Sequence, residues 1–308
     1  MLPDTVKLTE PVDVRERIAP DHDDLRSIES GLDALQSVDV RPRSTLRRVL
    51  RATLPTLALL IALVAAWQVY VLVAHPRPDI VPGPADVGAA LGDAWTSGQL
   101  QLAVTTSLTR GATGFVIAIL VATPIGLLLA EVAPLRRAFG PIISGLQVLP
   151  SVAWVPAAIL WFGLSDGAVY FVVLMGAIPS IVNGLLAGVD QVPPALRRVG
   201  LVLGASRRQL STKVMLPAAL PGYFGGLKQG WAFSWRSLMA AEIIATGGSM
   251  GFGLGSMLQQ SRDLADIASV LATVLTILVI GVVVELLVFA PIERGLLSRR
   301  GLRPTGSR

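Results

Sequence analysis

The chain has 308 residues, 52% of them hydrophobic and only 15% charged, where a soluble domain carries about 25% charged residues. It has no cysteine, which excludes disulfides, cysteine-ligated metal and thiol chemistry. The net charge of +5 is not gathered into one patch but sits at alternate ends of apolar runs, which marks membrane topology and argues against a nucleic-acid surface.

Residues 1–40 are acidic and lack a basic run followed by an apolar core, so no signal peptide is expected there. Leu25, Ile28, Leu32 and Leu35 share one helical face within 21–38. The segment reads as a solvated tail with one marginal helix, or as a helix that docks on the rest of the chain or on a cytoplasmic partner. Arg41, Arg43, Arg47, Arg48 and Arg51 precede the first apolar run, 54–73. About 20 apolar residues span a bilayer, and further spans are expected at 103–130, 139–164, 168–189, 222–245 and 267–291. Pro141, Pro150 and Pro156 interrupt the third of these. Such breaks suit either kinked packing helices or the lining of a path.

Segments expected inside carry seventeen Lys or Arg, against two, Arg77 and Arg262, in the segments expected outside. The inside set comprises the N-terminal cluster, Arg136 and Arg137, then Arg197, Arg198, Arg207, Arg208 and Lys213, then Arg294, Arg299, Arg300, Arg303 and Arg308. The positive-inside rule therefore predicts six spans with both termini in the cytoplasm.

Charges within the spans cost roughly 2.5–3.5 kcal/mol each at the bilayer centre. Arg236 is the most central and should face protein or water. Glu242 lies six residues on, about 240° around a helix, so the two cannot pair within one helix. Arg236 is read as half of an interhelical or dimer contact, or as a cation that favours an anionic substrate on its way through. Arg110, near the outer end of the second span, either snorkels to the interface or packs inside. Lys228 and Glu285 are expected to snorkel at the inner face.

Between the fourth and fifth spans lies a polar, arginine-rich island, 193–217. Pro193 and Pro194 suit a helix start, and Leu196, Val199 and Leu203 come next at helical spacing. Gly204 breaks that helix, Ser206 caps a second short one over 207–213, and Leu216-Pro217 returns to apolar sequence. This predicts a knob of two short helices around a glycine turn.

The island resembles the coupling loop of permease subunits of bacterial ABC importers, whose pattern ends Gly, nine residues, Ile-x-Leu-Pro. Gly204 and Val214-x-Leu216-Pro217 match that end; Arg198, Val199 and Gly200 depart from the Glu-Ala-Ala that opens it. Pro82-Gly83-Pro84 before Val87, Ser107-Leu108-x-Arg110-x-x-x-Gly114, Leu149-Pro150 before Ala153 and Pro156, Leu160-Trp161-Phe162-Gly163, and Trp235-Arg236 before Ala240-Ala241-Glu242 resemble the sulfonate, taurine and nitrate branch. The resemblance covers about 55–295.

The resemblance implies an all-α integral membrane fold, six transmembrane helices with a cytoplasmic coupling-helix loop (residues 193–217). The expected organisation is a cytoplasmic tail 1–51, a permease domain 52–295 and a tail 296–308, in the bacterial inner membrane. It implies two cytoplasmic ATPases, an external substrate-binding protein and a second permease copy, most simply a homodimer. It makes Arg198, Leu203, Gly204, Ala205, Ser206, Arg207, Leu210, Val214, Leu216 and Pro217 candidates for ATPase coupling. Leu203, Leu210 and the neighbouring arginines are the candidate contacts. Arg110, Pro150, Trp235, Arg236 and Glu242 are candidates for the translocation path or interhelical pairing. The expected cargo is an alkanesulfonate or taurine, then nitrate, then a thiamine-precursor pyrimidine.

The chain has no Gly-x-x-x-x-Gly-Lys-Ser/Thr loop, so ATP and Mg are expected on the partner ATPase, with no cofactor or metal on this chain. Gly247-Gly248 and Gly251-x-Gly253-x-Gly255 read as a flexible turn outside the membrane. An ion-driven secondary transporter would need acidic sites near the midplane, and a membrane enzyme would need a catalytic cluster that the sequence lacks.

Overall fold

The computed structural model describes residues 45–77, 79–206, 209–245, 247 and 251–298, with side chains from 54 onward. The tail helix expected within 21–38 lies outside the described residues, as does Arg207. The chain divides into two units, 1–65 and 66–308. The first, among its described residues, is the opening part of α1 (Thr45–Ala74). Its Leu57, Leu60, Ile61 and Val64 are all exposed, the composition of a lipid-facing helix.

The regular structure of the second unit is all helix, with no strand among its described residues. α2 (Pro84–Thr96) is short and α3 (Gln99–Glu131) is long. α4 (Ala133–Val148) leads through a 3-10 turn, Ser151–Trp154, into α5 (Val155–Phe162). α6 (Asp166–Asp190) and α7 (Pro194–Val202) come next. A π-helical turn, Leu210–Met215, feeds α8 (Leu216–Ile244). α9 (Leu254–Asp263) precedes α10 (Ile267–Val284), and a second π turn, Glu285–Phe289, joins α10 to α11 (Ala290–Ser298). Asp266 opens α10 by accepting from the Ser269 Oγ (2.6 Å) and N–H (3.0 Å), which holds its carboxyl below the usual range.

Four stretches among the described residues are long and apolar enough to cross a membrane: α1 from Leu54, α3, α6, and α10 through α11. The expected third span is a helix pair bent by 99°. The bend falls at Pro150, where Leu149 is extended (φ −66°, ψ 125°), the conformation a succeeding proline imposes. α8 fills the expected fifth span with 29 residues, about 44 Å of helix. Its prolines, glycines, Lys228, Arg236 and Glu242 keep it out of the purely apolar class.

The centre is made by α3, α6 and α8. Val169, Val172 and Val173 of α6 pack with Trp235 and Leu238 of α8, and Ala118 and Ala122 of α3 pack against Ala177 and Ile181. What lets α6 and α8 approach is a ladder of small residues every fourth position. A Cβ on Gly226 would stand 2.6 Å from the Cα of Gly184, and one on Gly222 2.4 Å from the Cα of Gly188. Apolar helices gain no hydrophobic driving force against lipid, so close backbone packing must hold them together. Gly226→Ala is therefore expected to cost roughly 1–3 kcal/mol. Gly225→Ala, whose Cβ would meet nothing within 4 Å, should be neutral or slightly stabilising. Thermal melting of the two purified variants checks the contrast.

Candidate functional site

The arginine-rich end of the bundle carries the knob that the sequence predicts. Pro193 is the N-cap of α7 and Pro194 its first residue. Gly204 sits at φ +74°, the left-handed region that favours glycine. There the Gly204 N–H donates to the Leu201 carbonyl and the Ala205 N–H to the Gly200 carbonyl, each at 3.0 Å, a Schellman closure of the helix. Ser206 and Gln209 cap each other: the Ser206 N–H donates to the Gln209 Oε1 (2.9 Å) and the Gln209 N–H to the Ser206 Oγ (3.3 Å). The second arm differs from expectation, because it is no separate helix but runs through the π turn into α8. The wide turn accommodates Pro217, which has no N–H to give to a regular turn.

Leu203 is 80% exposed and Val202 87%, with Val199, Leu201, Arg197 and Arg198 also in the open. Leu210 is different. It is buried, and a Cβ on Gly200 would lie 2.6 Å from its Cδ1. Leu210 therefore staples the two arms together and offers no surface to a partner. Gly204, Ser206 and Pro217 are exposed, while Ala205, Val214 and Leu216 are half-buried. The Ser211 Oγ donates to Glu131 Oε1 at the end of α3 (2.7 Å), and Arg136 forks onto both oxygens of Asp190. The Ser211 bond thus ties the second arm of the knob to the end of α3.

The opposite end carries a charge cluster that joins four segments. Glu242, near the end of α8, is fully buried. Its Oε2 accepts from the Ser107 Oγ (2.7 Å) and the Gly255 N–H (3.0 Å), and its Oε1 from the Arg110 Nη1 (3.2 Å). The Ser107 Oγ also accepts the Leu254 N–H (2.8 Å). Arg110, itself buried, donates to the Gly251 carbonyl (3.2 Å) and pairs with Asp166 at 2.7 Å. The side chain of Asp166 is 50% exposed. This decides the open question on Arg110: it packs inside and does not snorkel.

The Gly-rich segment has a different use from the flexibility expected of it. A Cβ on Gly253 would lie 2.5 Å from both Glu242 carboxylate oxygens, and one on Gly255 2.5 Å from the Glu242 Cβ. These glycines admit a carboxylate to the backbone. The membrane charges nearer the basic end also pair rather than merely snorkel: Lys228 contacts Glu285 at 2.6 Å and Glu293 at 3.1 Å.

Arg236 takes no part in either cluster. It is exposed on α8 and lies over the ring of Phe233, 4.5 Å from its centroid. Trp235, next to it, is buried and stacks on Trp231. Pro150 marks the bend between α4 and α5.

Residues 122–291 match the family model described as the binding-protein-dependent transport system inner membrane component. The chain belongs to that family. It is thus a multi-pass membrane protein, the permease component of an ABC transporter, a role that implies ATPase and substrate-binding partners. A putative ABC transporter permease of Methanocaldococcus jannaschii is 30% identical over 246 residues, 79% of this chain and 89% of the relative. The taurine transport system permease of Escherichia coli is 29% identical over 259 residues, 82% and 92% of the two chains. In fold the permease is similar to a chain of the MetNI methionine ABC transporter in an inward-facing conformation. The TM-score is 0.55 at 23% identity, covering 64% of this chain and 95% of that one.

Proposed function

We propose that the permease moves a small anion, an aliphatic sulfonate or taurine first, into the cell at the expense of ATP. The observation that carries this is Arg236. Lys228, Arg110, Glu242 and Glu285 each have an opposite charge within reach. Arg236 has no carboxylate partner among the described residues. It ends an exposed stripe on α8 formed with Gly225, Gln229 and Ala232. Lipid-facing α10 instead exposes Leu275, Leu278, Val279 and Val282. A stripe of small and polar residues suits a second copy of the chain with water between the two, and Arg236 then offers its charge to a passing anion.

In this reading two copies form a homodimer with both termini in the cytoplasm. The exposed face of α7, with Leu203, Val199, Arg197 and Arg198, docks in a groove of the ATPase. Residues 52–295 form the transport domain and 193–217 its coupling loop. The expected effect of Arg236→Gln is a roughly ten-fold loss of uptake, as for a lost contact of about 1.4 kcal/mol, with Arg236→Lys retaining part of it. Uptake of labelled substrate at matched membrane levels checks this.

A deletion strain grown on single sulfur and nitrogen sources tests the substrate. Failure on taurine or alkanesulfonates with normal growth on sulfate supports the reading. Failure on nitrate alone moves the assignment to nitrate. With redundant importers excluded, normal growth on all of these sources leaves the pyrimidine.

A further inference from the structure

The proposed transport cycle leaves unused the way α9 is held. α9 has no N-cap side chain of its own, because its N-cap is Gly253. Its first two N–H groups are instead taken by Ser107 of α3 and Glu242 of α8. A helix N-terminus attracts negative charge, so a buried carboxylate on another helix makes a seat that α9 can occupy or leave. The buried residues of α9 are Leu254, Gly255, Met257 and Ser261, while Gln260, Arg262 and Asp263 lie in the open.

Single left-handed residues stand on both sides of it, Gly247 at φ +100° and Ala265 at φ +56°. Ala265 closes the end of α9: its N–H donates to the Arg262 carbonyl and the Asp266 N–H to the Ser261 carbonyl, each at 3.0 Å. Alanine rarely adopts this conformation. The seat is also mechanically tied to the knob, because α8 runs unbroken from the π turn at Leu210–Met215 to Glu242. Arg110 bridges the buried Glu242 and the half-exposed Asp166, so the cluster reaches from the protein interior to the surface.

We propose that α9 is a wedge held by the Ser107–Glu242 seat, that α8 carries motion of the coupling knob to that seat, and that Arg110 and Asp166 latch it. Ser107, Arg110 and Glu242 are positioning residues, acting on substrate only through α9. The proposal rests on the ATP-driven reading for its trigger, but the seat itself does not.

The chain has no cysteine, so one introduced thiol is a unique reporter. The Ser261→Cys variant places it on the buried face of α9. In the assembled transporter in membrane vesicles, a membrane-impermeant maleimide on the α9 side should label it slowly without nucleotide. Labelling should be about ten-fold faster after trapping with ATP and vanadate. Adding Ser107→Ala or Asp166→Asn should raise nucleotide-free labelling roughly five- to ten-fold, the change that losing one or two net hydrogen bonds makes to an opening equilibrium.

A Ser180→Cys control, fully buried in α6, should stay protected throughout. Unchanged nucleotide-free labelling in both added variants overturns the seat and latch. So does equal acceleration at Ser180→Cys, which would report general loosening. If the variants release α9 but ATP and vanadate do not, the seat stands and the ATP-driven trigger falls.

Discussion

Replacing Glu242 with leucine is expected to remove most folded permease from the membrane. The carboxylate accepts from Ser107, Gly255 and Arg110 in a fully buried position, and leucine accepts from none of them. The Gly255 N–H loses its partner, and buried Arg110 keeps only Asp166 as a counter-charge. Removing one partner of a buried ion pair costs roughly 3–5 kcal/mol, a large part of the roughly 5–15 kcal/mol that holds a typical protein folded. The double variant Arg110→Met/Glu242→Leu should recover part of the loss, because the only charge it leaves unpaired, Asp166, is half-exposed; the interaction energy in that cycle measures the coupling. Glu242→Gln, which keeps shape and one acceptor, should fall between. Thermal melting in detergent and membrane abundance read all three, and an unchanged melt for Glu242→Leu contradicts the cluster's structural role.

Gly204→Val is expected to uncouple transport without lowering the amount of permease in the membrane. A Cβ at Gly204 meets nothing within 4 Å, so the effect comes from backbone strain alone. A left-handed conformation costs an L-residue about 1–2 kcal/mol, and branching at Cβ makes it worse. That strain opens the Schellman closure which, with the Leu210–Gly200 contact, sets the angle of α7. The expected order of uptake is glycine, then asparagine, then alanine, then valine, with about a ten-fold loss at valine. Since α7 lies on the surface, stability should hardly change. Uptake in Gly204→Val equal to that of the parent at equal abundance contradicts this account of the knob.

The six expected spans come from apolar length, and the structure places helix in each. The knob was legible because proline, glycine and serine act locally: Pro194 starts a helix, Gly204 turns it and Ser206 caps the second arm. The charge cluster was not, because Ser107 and Glu242 are 135 positions apart. Their pairing depends on α3 and α8 lying side by side, which no local pattern states. A signal did exist for a different pair: Gly184-x-x-x-Gly188 and Gly222-x-x-x-Gly226-x-x-x-Gly230 mark where α6 and α8 touch. The resemblance offered Leu210 as a candidate ATPase contact, but facing Gly200 it fills the gap a missing side chain leaves. Pro150 announced a break, and the helix pair bends there by 99°.

The most direct test of the central claim is the energy source of uptake. Cells expressing the complete transporter are given labelled taurine or an alkanesulfonate, with ATP depleted in one sample and ion gradients collapsed at constant ATP in another. Uptake should stop when ATP is depleted and persist when the gradients are collapsed. Uptake that survives ATP depletion and stops with the gradients would contradict that claim.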